Sequence, residues 1–429
     1  MSSTNIDFSP GSKNWIAKFF ELLDLGVLSI DNDLIHQNES NLTHFISHQT
    51  GLIYGTANSF IFSNNLDKKR FNTDEQLQLL LFETLLFTYI RKQQKPPNAK
   101  EFTSTLLEFY KGFNGAGLIE RLRYKMARQP SSQLEILLAS RVGIKSSFLG
   151  ANFWLHHLSN AFIFLDVILF RAFLEGNRAP FLTMHERYTS SVLNGLIYVA
   201  LIDGRVVEKE RKILKHFIAS AALSQNLKQR YKERIQIGIP FKLLQQELIH
   251  DKLLSQITYE FGHLLIRSSH MITTEERLKL ESLGQALQLN PSQMLLSEEM
   301  CMAFIAHSGT NELLVYKQSI EASFAFKETS KRWLRIIGRN RDRLLTEIRE
   351  SKELMALLQK STKEELSAEE KEQVKEQFYD ILKSMPSLAL FLLPGGTLLL
   401  PIVMKLVPEL IPSAFKVNEV EKKTNEDEV

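Results

Sequence analysis

The sequence contains one cysteine, Cys301, which excludes intrachain disulfides, thiolate zinc sites and CxxC redox chemistry. It also lacks GxxxxGK[ST], GxGxxG, GxSxG and HExxH, the patterns of phosphate, dinucleotide, acyl and zinc chemistry. The first twenty residues lack the basic start and apolar block of a secretory signal. These absences predict a non-enzymatic protein without a cofactor, most of which stays on the side of a membrane where it is made.

Helix breakers are also scarce, with 12 prolines and 19 glycines in 429 residues. Long stretches carry apolar residues at spacings of three and four, as in Trp15 to Leu25, Glu75 to Arg91 and Leu134 to Arg141. No long run alternates apolar and polar residues as a strand would. The sequence therefore predicts an all-α, multi-domain helical protein.

The overall composition limits how this protein can interact with a membrane. The mean hydropathy of -0.13 excludes a polytopic membrane protein. The formal net charge is only +3, so affinity for lipid or nucleic acid requires a local cluster of charge. The most apolar internal segment, Phe153 to Phe173, is interrupted by Asp166 and Arg171, which favours a buried helix over a span.

Residues 1–185 are predicted to form one helical domain and residues 186–300 a second. The second domain contains a weak internal repeat at an offset of 66 residues, LIYVALIDGRVVEKERKIL (196–214) and GHLLIRSSHMITTEERLKL (262–280). Each copy has an apolar helix, a polar turn and a second helix carrying Glu210 or Glu276. The pair resembles the two halves of the tellurite-resistance TerB-like helical domain, whose Asp-Gly turn matches Asp203-Gly204.

That resemblance implies a divalent cation held near the turn, with Asp203, Glu208 and Glu210 as the candidates by position. The second copy has Ser269-His270 in place of Asp-Gly, which removes carboxylates that a hard cation needs. The alternative is structural, because glutamates early in a helix complement its positive amino-terminal dipole.

Residues 301–365 are predicted to be a basic amphipathic helical linker. The strongest local positive charge in the chain lies between Lys327 and Lys352, above an apolar face at helical spacing. We expect its basic face to contact anionic lipid headgroups and not to bind nucleic acid. The alternative is a solvated face with internal ion pairs. The candidate lipid-facing residues are Lys331, Arg332, Arg335, Arg339, Arg341 and Arg343.

The segment 366–415 ends in the most apolar stretch of the sequence. Ser387 to Met404 contains no ionisable side chain, and its length as a helix barely matches the roughly 30 Å hydrocarbon core of a bilayer. Prolines and a Gly-Gly pair interrupt it, which predicts a proline-broken hairpin or single span in lipid or, alternatively, a kinked hairpin packed as core. The candidate membrane residues are Pro386, Pro394, Gly395, Gly396, Pro401, Lys405, Pro408, Pro412 and Phe415.

The order of features in Leu366 to Phe415 carries a second resemblance. A charged helix ends at Asp380-Ile381-Leu382, and Leu399-Leu400-Pro401 and a closing Pro-Ser-x-Phe follow. This run is similar to the membrane-anchoring region of the leucine-zipper and EF-hand containing transmembrane (LETM) family, and looks like that of bacterial LETM-related proteins labelled biofilm-associated. Ribosome and EF-hand calcium binding are not carried over, because only an acidic tail predicted to be disordered, residues 416–429, follows Phe415.

The resemblance implies a bacterial inner-membrane location with most of the chain cytoplasmic, and a role in cation/proton homeostasis or in envelope and biofilm organisation. Implied partners are the lipid bilayer and either a homo-oligomer or other membrane proteins, because one chain offers too few spans to form a transport pathway. The competing hypothesis is a cytoplasmic interaction or sensing protein built on the TerB-like module.

Overall fold

The computed structural model describes residues 8–30, 46–48, 50–94, 96–113, 118–144, 160–201, 206, 208–267, 273–298, 300–301, 346–348 and 350–361, and isolated positions from 367 to 381. The chain divides into two compact units, Met1–Cys301 (unit 1) and Met302–Val429 (unit 2). The described residues are helices and turns without a strand, so the predicted all-α class is confirmed.

The first half of unit 1 contains α1 (Trp15–Asp24), α2 (Thr73–Gln93), α3 (Ala99–Phe109), α4 (Leu118–Met126), α5 (Pro130–Gly143) and α6 (Leu165–Leu174), with 3₁₀ turns at Leu52–Tyr54 and Lys68–Arg70. The second half contains α7 (Phe181–Ala200), α8 (Glu208–Ser220), α9 (Gln225–Ile237), α10 (Phe241–Glu247), α11 (Lys252–Arg267) and α12 (Thr274–Ala286), and residues 291–298 are also helical. The three helices predicted at residues 15–25, 75–91 and 134–141 are therefore present as α1, α2 and α5.

The long helix α2 lies at the centre of the first half and packs against α5 and α6. It starts with a capping box, in which the Asn72 side chain accepts from the Glu75 backbone and the Glu75 side chain accepts from the Asn72 backbone. Phe82 is fully buried in α2, with its ring centroid 5.0 Å from those of both Trp15 and Phe19. Edge-to-face packing of these rings fixes α1 against α2.

Helix α7 is the centre of the second half, where it contacts α6, α8, α9, α10, α11 and α12. Its most extensive contact is with α11. A Cβ atom on Gly195 of α7 would lie 2.8 Å from Cγ2 of Thr258 of α11, so the approach of the two helices depends on a glycine at this position.

The internal repeat is present in the structure at the predicted offset. Helix α8 occupies residues 208–220 and α12 residues 274–286, so their bounds differ by 66 residues at both ends. The preceding helices α7 and α11 end at Ala200 and Arg267. In each copy the two helices contact each other. The predicted domain boundaries, one of which falls inside α7, stay predictions.

The apolar segment Phe153 to Phe173 is buried in unit 1 at its described residues 160–170 and 173, as predicted, and is half-buried at Arg171 and Ala172. Residues 161–165 lead into α6 and are all buried. Asp166 lies inside this buried region, with none of its surface exposed.

In unit 2, α13 (Lys352–Ser361) pairs with helical residues between 369 and 381. Lys360 Nζ lies 2.6 Å from Glu370 Oε1, and Gln377 Nε2 donates to Glu353 Oε2 at 2.8 Å. The end of α13 contacts Glu370, and the start of α13 contacts Gln377. The two helical segments therefore run antiparallel. Leu354 is buried on this hairpin, 1% exposed.

Candidate functional site

Most of the residues predicted to carry function lie outside the described part of the chain. These are the membrane residues 386–415, the basic residues 331–343 and Asp203 of the turn. Within the described residues, no helix has both the length and the apolar character needed to cross a membrane. The roles predicted for these residues stay predictions.

Two of the metal candidates, Glu208 and Glu210, begin α8 in different surroundings. Glu208 is exposed and its Oε2 lies 2.9 Å from Arg211 Nη1, one turn later in the helix. Arg211 also donates from Nη2 to the backbone oxygen of Val206 at 3.3 Å, which joins Val206 to the first turn of α8. Glu210 is 1% exposed, inside the fold.

The equivalent glutamate in the second copy has a structural function. Glu276 and Thr273 form a capping box, with Thr273 N donating to Glu276 Oε2 at 2.7 Å and Glu276 N donating to Thr273 Oγ1 at 3.2 Å. These bonds satisfy two of the backbone N–H groups that every helix start leaves unpaired. In this copy the glutamate therefore caps the amino terminus of α12.

No group of three or more histidine, cysteine, aspartate or glutamate side chains is placed to hold a metal ion among the residues that the structure describes. His48 is buried, and its Nε2 lies 2.8 Å from Glu260 Oε2. Tyr54 also donates to this oxygen, at 3.4 Å. Burial raises the pKa of Glu260, and the adjacent His48 opposes that rise.

A buried polar cluster links the two halves of unit 1. Arg141 of α5 donates to Asp166 of α6 twice, from Nε to Oδ2 at 2.7 Å and from Nη2 to Oδ1 at 2.6 Å. The Tyr110 hydroxyl donates to the same Oδ2 at 2.7 Å, and His185 Nε2 of α7 lies 3.1 Å from Arg141 Nη2. Burial, and then the charge of Arg141, lower the pKa of His185. The cluster thus contains a bidentate ion pair beside a neutral imidazole.

The cluster could be detected in the sequence only in part. Asp166 interrupts an apolar run, and a carboxylate in a buried helix requires a partner. Its partner Arg141 lies 25 positions away on another helix, and nothing in the local pattern identifies it.

Glu83, in the middle of α2, holds an irregular segment against the core. Its Oε2 accepts from the backbone N–H groups of Ile61 at 2.6 Å and Phe62 at 3.0 Å, and Ser63 Oγ donates to its other oxygen. Burial raises the pKa of Glu83 to about 7, although these hydrogen bonds act in the opposite direction. The contact is structural and sensitive to pH.

The part of the C-terminal segment that the structure describes is the second arm of the unit 2 hairpin. Ser367 begins this arm as a cap, with Glu370 N donating to Ser367 Oγ at 3.2 Å and Ser367 N donating to Glu370 Oε2 at 3.0 Å. The hydrogen bond from Lys360, followed by that from Ser367, lowers the pKa of Glu370. Val374 and Ile381 are buried on the same arm. The charged helix that was predicted to end near Asp380 is therefore helical at its described positions.

Comparison with known proteins adds one finding about this same arm. Residues 366–429 match the family model described as LETM1-like, RBD. The match begins at the first residue of the run identified from sequence, and it also includes residues 416–429, which the sequence analysis set apart as a tail. No curated protein and no solved structure matches the chain.

The C-terminal region is therefore LETM-like, in a protein that is all-α over its described residues. The matched part covers the last 64 of 429 residues, and α13, the partner arm of the hairpin, precedes it. The TerB-like identity of the central repeat stays a prediction.

Proposed function

We propose that this chain is a non-enzymatic, membrane-associated LETM-like protein whose C-terminal segment attaches it to a bacterial inner membrane. In this proposal most of the chain is cytoplasmic, and the protein contributes to cation/proton homeostasis or to envelope and biofilm organisation. The observation that carries the proposal is the match of residues 366–429 to the LETM1-like family.

The chemistry of the segment supports the same function. Residues 387–404 have no ionisable side chain, and their interruptions by proline and glycine are tolerated in lipid where neighbouring groups satisfy the freed backbone. The basic residues from Lys331 to Arg343 precede this segment and suit contact with anionic headgroups.

Fractionation of cells that produce three forms of the protein tests the attachment. The full chain and a truncation ending at Phe415 should stay in the membrane pellet after carbonate washing, whereas deletion of residues 386–415 should release the protein. The truncation is the matched control, because it removes only the polar tail. Release of the full chain by carbonate would contradict the proposal.

The paired hairpins of the repeat favour a second candidate, a soluble interaction or sensing protein in which residues 386–415 pack as core. This candidate predicts that the deleted form aggregates, because removing core residues exposes the apolar surface that they covered. A potassium/proton flux assay in liposomes addresses transport separately. Absence of flux would remove the transport role and leave the attachment intact.

A further inference from the structure

Helix α4 is a surface helix of unit 1. It packs against α5, and no described side chain from residue 119 to residue 126 is buried. Glu120 and Tyr124 are half-buried, whereas the other side chains in this range are exposed. The helix therefore contributes little to the core and keeps most of its circumference accessible.

The outer face of α4 is apolar. Ile119 is 64% exposed, Leu122 55% and Met126 79%. At about 100° per residue these three side chains lie within about 60° of one another, on one stripe of the helix. A single exposed leucine needs no explanation, but three large apolar side chains on one face of a nine-residue helix mark an interaction surface.

Two basic residues of α4 flank this stripe, Arg123 on one side and Lys125 on the other. Residues 118–128 include Arg121, Arg123, Lys125 and Arg128 against one acid, Glu120, so their net charge of +3 equals that of the whole 429-residue chain. Arg123 and Met126 also line an open groove of about 1210 Å³ that α4, α5 and residues 10–15 enclose. Lys13 adds a further cation to this groove, and Glu120 and Glu135 supply its carboxylates.

We propose that α4 is an interfacial helix that binds an anionic lipid surface. Aliphatic side chains on one stripe can enter the boundary between headgroups and acyl chains, and the flanking guanidinium and ammonium groups can pair with lipid phosphates. Nucleic acid is a poorer fit, because this stripe offers no aromatic ring on which a base could stack. The inference rests on the proposed membrane association and adds a second contact, made by unit 1.

The test uses the full chain with a nitroxide label on Leu122→Cys. Cys301 is buried, so the introduced thiol is the accessible one for labelling, and unsubstituted protein measures any reaction at Cys301. A label on Leu278→Cys is the matched control. Leu278 is 57% exposed on α12 but is surrounded by charges of both signs, Glu275, Arg277, Lys279 and Glu281.

Electron paramagnetic resonance then measures the access of molecular oxygen and of a water-soluble nickel chelate to each label. With vesicles of phosphatidylcholine and phosphatidylglycerol, the label at position 122 should gain access to oxygen and lose access to nickel. The label at position 278 should change in neither respect. Vesicles of phosphatidylcholine alone, or added substitutions Arg123→Gln and Lys125→Gln, should abolish the change at position 122.

Three results would overturn the inference. One is a label at position 122 that stays accessible to nickel while the protein pellets with anionic vesicles, which would leave the C-terminal attachment intact. Another is an equal response to neutral vesicles. The third is protection of position 122 without vesicles that increases with protein concentration, which would identify a second copy as the occupant. Failure of the full chain to pellet with anionic vesicles, together with release by carbonate, would instead contradict the proposed function.

Discussion

The buried ion pair between Arg141 and Asp166 gives the sharpest test of the fold. Asp166 is fully buried, Arg141 is 3% exposed, and two hydrogen bonds of 2.7 and 2.6 Å join them. The substitution Asp166→Asn keeps the shape of the side chain and removes its charge. It leaves the guanidinium in the interior without an anion, which costs about 3 to 5 kcal/mol when a buried pair is broken in this way.

Two features of the site adjust this magnitude. The guanidinium carbon of Arg141 lies 5.4 Å from the ring centroid of Phe113 and 5.3 Å from that of Phe181, so two aromatic faces partly stabilise the isolated cation. Tyr110 acts in the other direction, because its hydroxyl loses an ionised acceptor for a 2.7 Å hydrogen bond. We therefore keep the expected loss at about 3 to 5 kcal/mol, a large part of the roughly 5 to 15 kcal/mol that stabilises a typical domain.

Urea unfolding followed by circular dichroism measures this loss as a decrease in the free energy of unfolding. The double substitution Arg141→Met with Asp166→Leu is the control, because it removes both charges and should recover part of the stability, the Tyr110 hydroxyl still lacking its acceptor. A loss below about 1 kcal/mol for Asp166→Asn would refute the reasoning, since it would mean that the isolated cation reaches water. A double variant no more stable than the single one would show that packing, and not charge, decides the effect.

Two further predictions concern Glu83 and the cap of α12. Burial raises the pKa of Glu83 from 4.5 to about 7. The stability that this group contributes is therefore fully present below about pH 4.5. About 3 kcal/mol of the free energy of unfolding is lost as the pH rises to about 7. The variant Glu83→Gln should lack this decrease in urea midpoints measured between about pH 5 and pH 8, and an unchanged pH dependence would contradict it. Thr273→Ala removes the N-cap hydroxyl and should lower the free energy of unfolding by about 1 kcal/mol. Thr274→Ala, at the exposed first position of the same helix, should have almost no effect, and equal effects would argue against the cap.

The sequence by itself determined the helical class and the positions of several helices. Apolar spacing located α1, α2 and α5 to within a few residues, because the period of 3.6 is a local property of the chain. The 66-residue repeat was visible for the same reason, since two similar helical hairpins require similar local patterns. The order of prolines and leucines after Leu366 likewise identified the LETM-like region that the family model matches.

The tertiary structure alone decided how distant residues pair. His48 meets Glu260 across 212 positions, and Arg141 meets Asp166 between two helices. Such pairs leave no local trace, because the chain path between them sets their distance. Helix α4 shows the same limit for an apolar face. Helical spacing predicts that a stripe exists, but only the packing of α4 on α5 determines that Ile119, Leu122 and Met126 point away from the core.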